Sequence, residues 1–302
     1  MPARPDVQAA ERFIWLTARL LERRLYAYLF KEGPADAVVD ALRPYQNEDG
    51  GFGNALEPDA RGADSQPIHV LTALQTLAEV GRCRGELVIR TVDYLASVTT
   101  ANGAVPVALP SVRNAPRAPY LVIEGDAPPG GLLPTAGIVG ALASGGFEHA
   151  WLTRASQFCW GAIEQLTQSH PYEIEACLAF LHRAPERARA EREAARLGHL
   201  VRDQQLVLLD PDAADSAPVS PGYAPGEVHG PLDYAPSPSS LARRWFSDQE
   251  IDRALDGLVA AQGVDGGWHF TWREWNPATT LEWRGRVTIR ALTTLRAYGR
   301  LD

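Results

Sequence analysis

A seven-residue stretch occurs twice in this chain and constrains its fold more than any other feature. Gln46-Asn47-Glu48-Asp49-Gly50-Gly51-Phe52 returns 216 positions later as Gln262-Gly263-Val264-Asp265-Gly266-Gly267-Trp268. In both copies a Gln closes an amphipathic helical run, Asp-Gly-Gly follows three residues later, and an aromatic comes next. The physics is readable. Glycine accepts the positive φ needed after a helix C-terminus, the Asp side chain can bond backbone N–H groups of the turn, and the Gln amide can bond neighbouring helix ends. One such turn is ordinary. Two with the same spacing predict stacked helical hairpins.

Gln-x-x-Asp-Gly-Gly-Phe/Trp at a helix end resembles the "QW" repeat of the terpenoid cyclase and protein prenyltransferase superfamily. The resemblance is carried by residues 40–53 and 250–268. It implies an all-α fold, an α/α toroid around an apolar central cavity, with residues 1–302 as a single domain. One fold hosts several functions, so it constrains activity far less.

The helical pattern runs along the chain. Residues 7–30 read as one amphipathic helix, with Phe13, Leu16 and Leu20 on one stripe and Leu21, Leu25 and Tyr28 beside it. Gly33-Pro34 breaks it, and 35–45 leads into the first repeat turn. Pro67 opens a helix that ends at Gly81, and 86–98 is its partner. Asn102-Gly103, 53 positions after Asp49-Gly50, reads as a worn copy of the turn. Helices resume at 135–144, 148–168, 171–183 and 185–205. Asp210-Pro211-Asp212 is the place for a fourth turn, and a last helix starts near 284. The loops 104–133 and 206–247 are rich in proline, and loops that long in a compact domain usually serve function.

The net charge of −8 points away from a nucleic-acid or anionic-membrane partner, which needs positive surface. Cys83, Cys159 and Cys177 form neither a disulfide framework nor a CxxC site, which fits a cytoplasmic protein. No run reaches the ~20 apolar residues of an integral membrane segment.

Three groups of residues are candidates for chemistry. Glu57, Asp59 and Asp64 follow the first repeat directly, with His69 one turn into the next helix. Carboxylates drawn into an apolar mouth supply a general acid, while in solvent Asp64 or Ser65 would only cap the helix. Trp268, Trp272, Trp275 and Trp283, four of the eight tryptophans, fall within sixteen residues, with Glu282 and Arg284 beside them and Tyr234 in the preceding loop. Aromatic faces stabilise cations, although large aromatics more often fill cores, and Glu282 and Arg284 can simply pair. Asp210, Asp212 and Asp215 have the spacing of a weak Mg²⁺ site, although proline-flanked aspartates usually form turns. No other cofactor is expected.

Cyclases of the resembling superfamily that protonate an alkene carry an Asp-x-Asp-Asp run, absent here. Protein prenyltransferases hold zinc with Asp, Cys and His, but Cys177 has only Glu173 and Glu175 near it in sequence. The resulting expectation is an enzyme acting on an isoprenoid or other apolar small molecule by acid-initiated chemistry. Asp59 or Asp64 is the proton donor, Glu57 a partner acid, and His69, Tyr234, Trp268, Trp272, Trp275, Glu282, Trp283 and Arg284 contact the substrate. The alternatives are a carbohydrate-active α/α barrel and a non-catalytic scaffold that keeps the toroid.

Overall fold

The structure, a computed structural model, describes residues 4–210 and 223–301. The fold is all-α. Twelve helices are described: α1 (Val7–Thr17), α2 (Leu20–Phe30), α3 (Ala35–Leu42), α4 (Pro67–Glu79), α5 (Glu86–Ser97), α6 (Leu132–Ala143), α7 (Ala150–Gln165), α8 (Pro171–Arg183), α9 (Arg187–Asp203), α10 (Pro231–Tyr234), α11 (Asp248–Ala260) and α12 (Pro277–Ala297). Extended pairing among the described residues is limited to three isolated bridges, two of which close the repeat turns, Gln46 with Phe52 and Gln262 with Trp268. The chain groups into two compact units, Pro34–Glu193 and Met1–Gly33 with Ala194–Asp302.

In the first unit α6 is the packing centre, lying against α8, α4 and α7. Its sequence, LLPTAGIVGALA, is apolar all round, which suits a helix buried on every face. Two glycines set how closely its neighbours approach. A Cβ on Gly140 would lie 2.4 Å from the carbonyl oxygen of Ala179 in α8, and one on Gly137 would lie 2.8 Å from Leu71 in α4. In the second unit α12 packs on α1 and α2, and α10 on α11.

Three turns share one hydrogen-bond pattern. In the first, Asn47 N–H donates to Gly51 O, Gly50 N–H to Asn47 O, and Gly51 N–H to Asp49 Oδ1. The second repeats this at Gly263, Gly266, Gly267 and Asp265. The third repeats it at Thr100, Gly103, Ala104 and Asn102, so the worn copy is a true one. The middle glycine has φ of 87°, 92° and 94° in turn, where an L side chain is strained. Each also abuts a helix backbone: α5 at Arg90, α1 at Ala9 and α7 at Arg154.

The Gln amides fasten those helices. Gln46 Nε2 donates to Leu87 O at 3.0 Å and to Thr91 Oγ1 at 3.1 Å in α5. Gln262 exchanges two bonds with the Asp6 backbone at the head of α1, 2.8 and 2.9 Å. In the third turn Thr99 stands in the Gln position, and its Oγ1 accepts from Trp151 Nε1 of α7 at 2.6 Å. A fourth copy at Asp210-Pro211-Asp212 falls partly outside the described residues.

The expected single helix over 7–30 is two helices. Ala18 and Arg19 are extended, with ψ of 154° and 163°. Neither Gly nor Pro marks the break. Arg23 Nε instead caps Ala18 O at 2.7 Å, and Arg19 folds onto Glu22 in the first turn of α2. The break turns Leu16 and Leu20 outward, while Phe13, Leu21 and Leu25 enter the core. The stripe read from periodicity is therefore corrected at Leu16 and Leu20.

Candidate active site

The site is built in the first unit, where the chain leaves the repeat turn and loops before α4. Asn54 and Ala55 both have positive φ, 57° and 59°, and neither is glycine. Consecutive left-handed residues cost energy that the surroundings must hold in place. They are held by Asn54 N–H to Gly62 O at 2.9 Å and by Leu56, which is fully buried. The bend delivers Glu57 and Asp59 into the interior, 8% and 4% exposed, next to His69 of α4, which is fully buried.

The backbone N–H of Glu57 donates to His69 Nδ1 at 2.9 Å. Nδ1 must therefore be bare, and the neutral imidazole carries its proton on Nε2. The side chain of Glu57 curls back so that Oε2 accepts from Asp59 N–H at 3.0 Å. The remaining partner comes from the long proline-rich loop. Tyr120 Oη donates to Asp59 Oδ2. Burial first, then the charge of Asp59 and the bond to it, push the Tyr120 phenol far above its ordinary value, so it stays a donor.

That loop is pinned over the acidic segment. Ala118 N–H donates to Asp59 O at 2.8 Å and Arg61 N–H to Pro116 O at 3.0 Å. Leu121 and Ile123 pack on the buried Ala60, Ala108 and Val112, while Tyr120 is 43% exposed and Val122 63%. Gln66, 2% exposed, binds the same loop through Leu109 N–H at 2.6 Å and Ser111 Oγ at 2.8 Å. The arrangement places two buried carboxylates behind a tyrosine whose hydroxyl is turned inward and whose side chain is partly exposed. It is suited to moving a proton.

Asp64 is exposed. It does not cap α4, and neither does Ser65, whose hydroxyl donates to Asp49 Oδ1 at 2.8 Å; the N-cap is Gln66 and makes no side-chain cap bond. Of the acidic group, Glu57, Asp59 and His69 converge and Asp64 does not. Tyr120 and Gln66 were missed by sequence reasoning. A tyrosine amid prolines carries no periodic signal, and its sequence distance from Asp59 hides the pairing.

The aromatic group belongs to the second unit. Trp268 is 1% exposed and its indole N–H donates to Leu258 O at 2.7 Å; Tyr234 is 2% exposed and its hydroxyl donates to Leu206 O at 2.6 Å. Both are buried in the core, with their polar atoms bonded to backbone. Arg284, also buried, is spent on Asp265 and on the face of Phe13 at 4.5 Å, and Glu282 lies 3.9 Å from Arg19 rather than pairing with Arg284. Trp272 stacks on Phe270 at 4.3 Å and meets Trp283 edge-on at 5.0 Å, and these rings with Trp275 stay partly exposed. Asp210 is exposed, and Asp212 and Asp215 lie outside the described residues. No helix among the described residues is long and apolar enough to cross a membrane.

No family model matches the chain, and no curated protein matches it. Among solved structures it is similar to a protein from Actinoplanes, with a TM-score of 0.53 and 18% identity over 99% of this chain and 92% of that one. That likeness extends over nearly the whole length and concerns the fold alone.

Proposed function

We propose that the protein is an enzyme that protonates an apolar, isoprenoid-like small molecule, with Asp59 as the donor. The observation that carries this reading is the bond from the Tyr120 hydroxyl, on a residue 43% exposed, to the buried Asp59 carboxylate, with Glu57 in the same turn. Burial and a neighbouring carboxylate each disfavour the charged form of a carboxyl group, which is the bias a proton donor needs. Once Asp59 has given its proton, Tyr120 passes its hydroxyl proton to Asp59 as it accepts one from hydronium in a single relay, and the proton later lost by the product cation restores that hydronium in solvent. The isoprenoid class rests on the Gln-Asp-Gly-Gly turns that carry the superfamily resemblance, and the toroid belongs to the same proposal. Glycoside hydrolysis is the less favoured reading, because it needs two carboxylates facing each other across a sugar, whereas Glu57 folds back on the backbone of Asp59.

The test is incubation with linear polyprenes in D₂O. Protonation of an alkene by Asp59 places one deuterium on a product carbon, and Asp59→Asn abolishes that product while Asp64→Asn leaves it. A deuterated product that persists in Asp59→Asn, or none from wild type with any polyprene, would overturn the reading and leave the scaffold alternative.

A further inference from the structure

The corner between α1 and α2 turns large apolar side chains outward. Trp15 is 42% exposed, Leu16 72% and Leu20 57%, three of the eight large hydrophobic residues exposed among the described residues, all within six positions. On α1, Arg12, Trp15 and Leu16 share a face at i, i+3 and i+4; on α2, Leu20 and Arg24 share one at i, i+4. Both arginines are exposed.

Pairing within this unit neutralises the acids of the hairpin and leaves its bases. Glu11 is taken by Lys31 at 2.7 Å, and the buried Glu22 by Arg19 at 2.7 Å. Among the described residues, Arg12, Arg23 and Arg24 form no ion pair; Arg23 spends one N–H on Ala18 O. The corner thus presents an apolar tip of one Trp and two Leu, with the exposed, uncompensated Arg12 and Arg24 on the same helix faces. The whole-chain charge of −8 conceals this, because surface recognition depends on local charge within about a Debye length, ~10 Å.

We propose that the α1–α2 corner docks on an anionic lipid surface. Tryptophan and leucine enter the boundary between headgroups and acyl chains, and arginines at the same level meet lipid phosphates while their stems lie along the apolar layer. A second copy of the chain is the disfavoured occupant, since it would bring the same uncompensated guanidinium groups together. The inference is independent of the chemistry at Asp59.

The experiment is co-sedimentation of the full chain with vesicles of phosphatidylcholine, with and without phosphatidylglycerol. Wild type is expected to bind the anionic vesicles and to be released by salt. Arg12→Gln and Arg24→Gln each weaken binding about fivefold. Leu16→Ser with Leu20→Ser weakens it about tenfold or more at either salt. Melting curves should stay unchanged, because these side chains are already in water. Absence of binding to anionic vesicles, or equal binding by all variants, overturns the proposal. So does a concentration-dependent dimer of wild type that the two leucine substitutions dissolve.

Discussion

Arg284 grips Asp265 with two parallel bonds, Nη1 to Oδ2 and Nη2 to Oδ1, each 2.7 Å. The same guanidinium donates to Trp268 O at 3.2 Å, so one side chain of α12 fixes the middle and the last residue of the second repeat turn. Bidentate ion pairs are the stronger kind, but Asp265 is half-exposed, which dilutes the Coulombic part. Asp265→Asn is expected to cost about 1–2 kcal/mol at neutral pH, largely by leaving the buried Arg284 without its charged acceptor. The Arg284 bond, then Gly267 N–H and the Arg284 charge, hold the Asp265 carboxyl below its ordinary 3.8. A group with a depressed folded value gives stability above its unfolded value and loses it as pH falls through the folded one. The gap between wild type and Asp265→Asn should therefore shrink as pH drops below about 4. Urea melts at neutral and acid pH measure it, and a gap constant with pH would refute the linkage.

The turn glycines are not equivalent to other left-handed glycines. A Cβ on Gly50 would lie 2.3 Å from Arg90 O, and one on Gly266 would lie 2.3 Å from Ala9 O. Backbone cannot swing away as a side-chain tip can. Gly50→Ala and Gly266→Ala should each cost about 3 kcal/mol or more, combining left-handed strain with overpacking. Gly299 also has positive φ, at 67°, but a Cβ there meets nothing within 4 Å. Gly299→Ala should cost only about 1–2 kcal/mol. Equal thermal shifts for the three variants would show that close approach to the helix contributes nothing.

The Gln-Asp-Gly-Gly turns were legible in the sequence because their physics is local. Positive φ, an Asp bond two residues on and a Gln reaching back are written in consecutive residues, and even Asn102-Gly103 could be found by spacing. The α1–α2 corner was not legible. Ala18 and Arg19 carry no breaker signal, and Leu16 and Leu20 continue a helical period that the corner cancels. The acidic site was half legible. Glu57, Asp59 and His69 follow one another in sequence, but the group that completes them sits 61 residues after Asp59, on a loop whose placement depends on Leu121 and Ile123 finding a small apolar patch. Trp268 and Arg284 show that residue types suited to a ligand site are equally suited to fastening a turn.

The bond between Tyr120 and Asp59 should be measurable apart from any turnover. Tyr120→Phe removes the donor and leaves a 4% exposed carboxylate with one bond fewer, a loss of about 1–3 kcal/mol. Asp59→Asn keeps an acceptor oxygen for the phenol, so it should cost less; Asp59→Ala removes the acceptor, and its double variant with Tyr120→Phe should show about 1–3 kcal/mol of coupling. The pH dependence has a definite sign. The phenol is raised by burial first and then by Asp59, so the folded state holds its proton more tightly than the unfolded chain, whose value is near 10. This contribution is complete below about pH 10 and declines as pH climbs toward the folded value. Tyr94 is raised too, by burial and then Asp49, so wild type has a background alkaline slope. Tyr120→Phe should remove part of that slope and leave the rest. Chemical denaturation of wild type and Tyr120→Phe from neutral pH to beyond pH ~10 decides it: parallel curves would mean that the phenol does not sense Asp59, and the proton path proposed through Tyr120 would lose its first link.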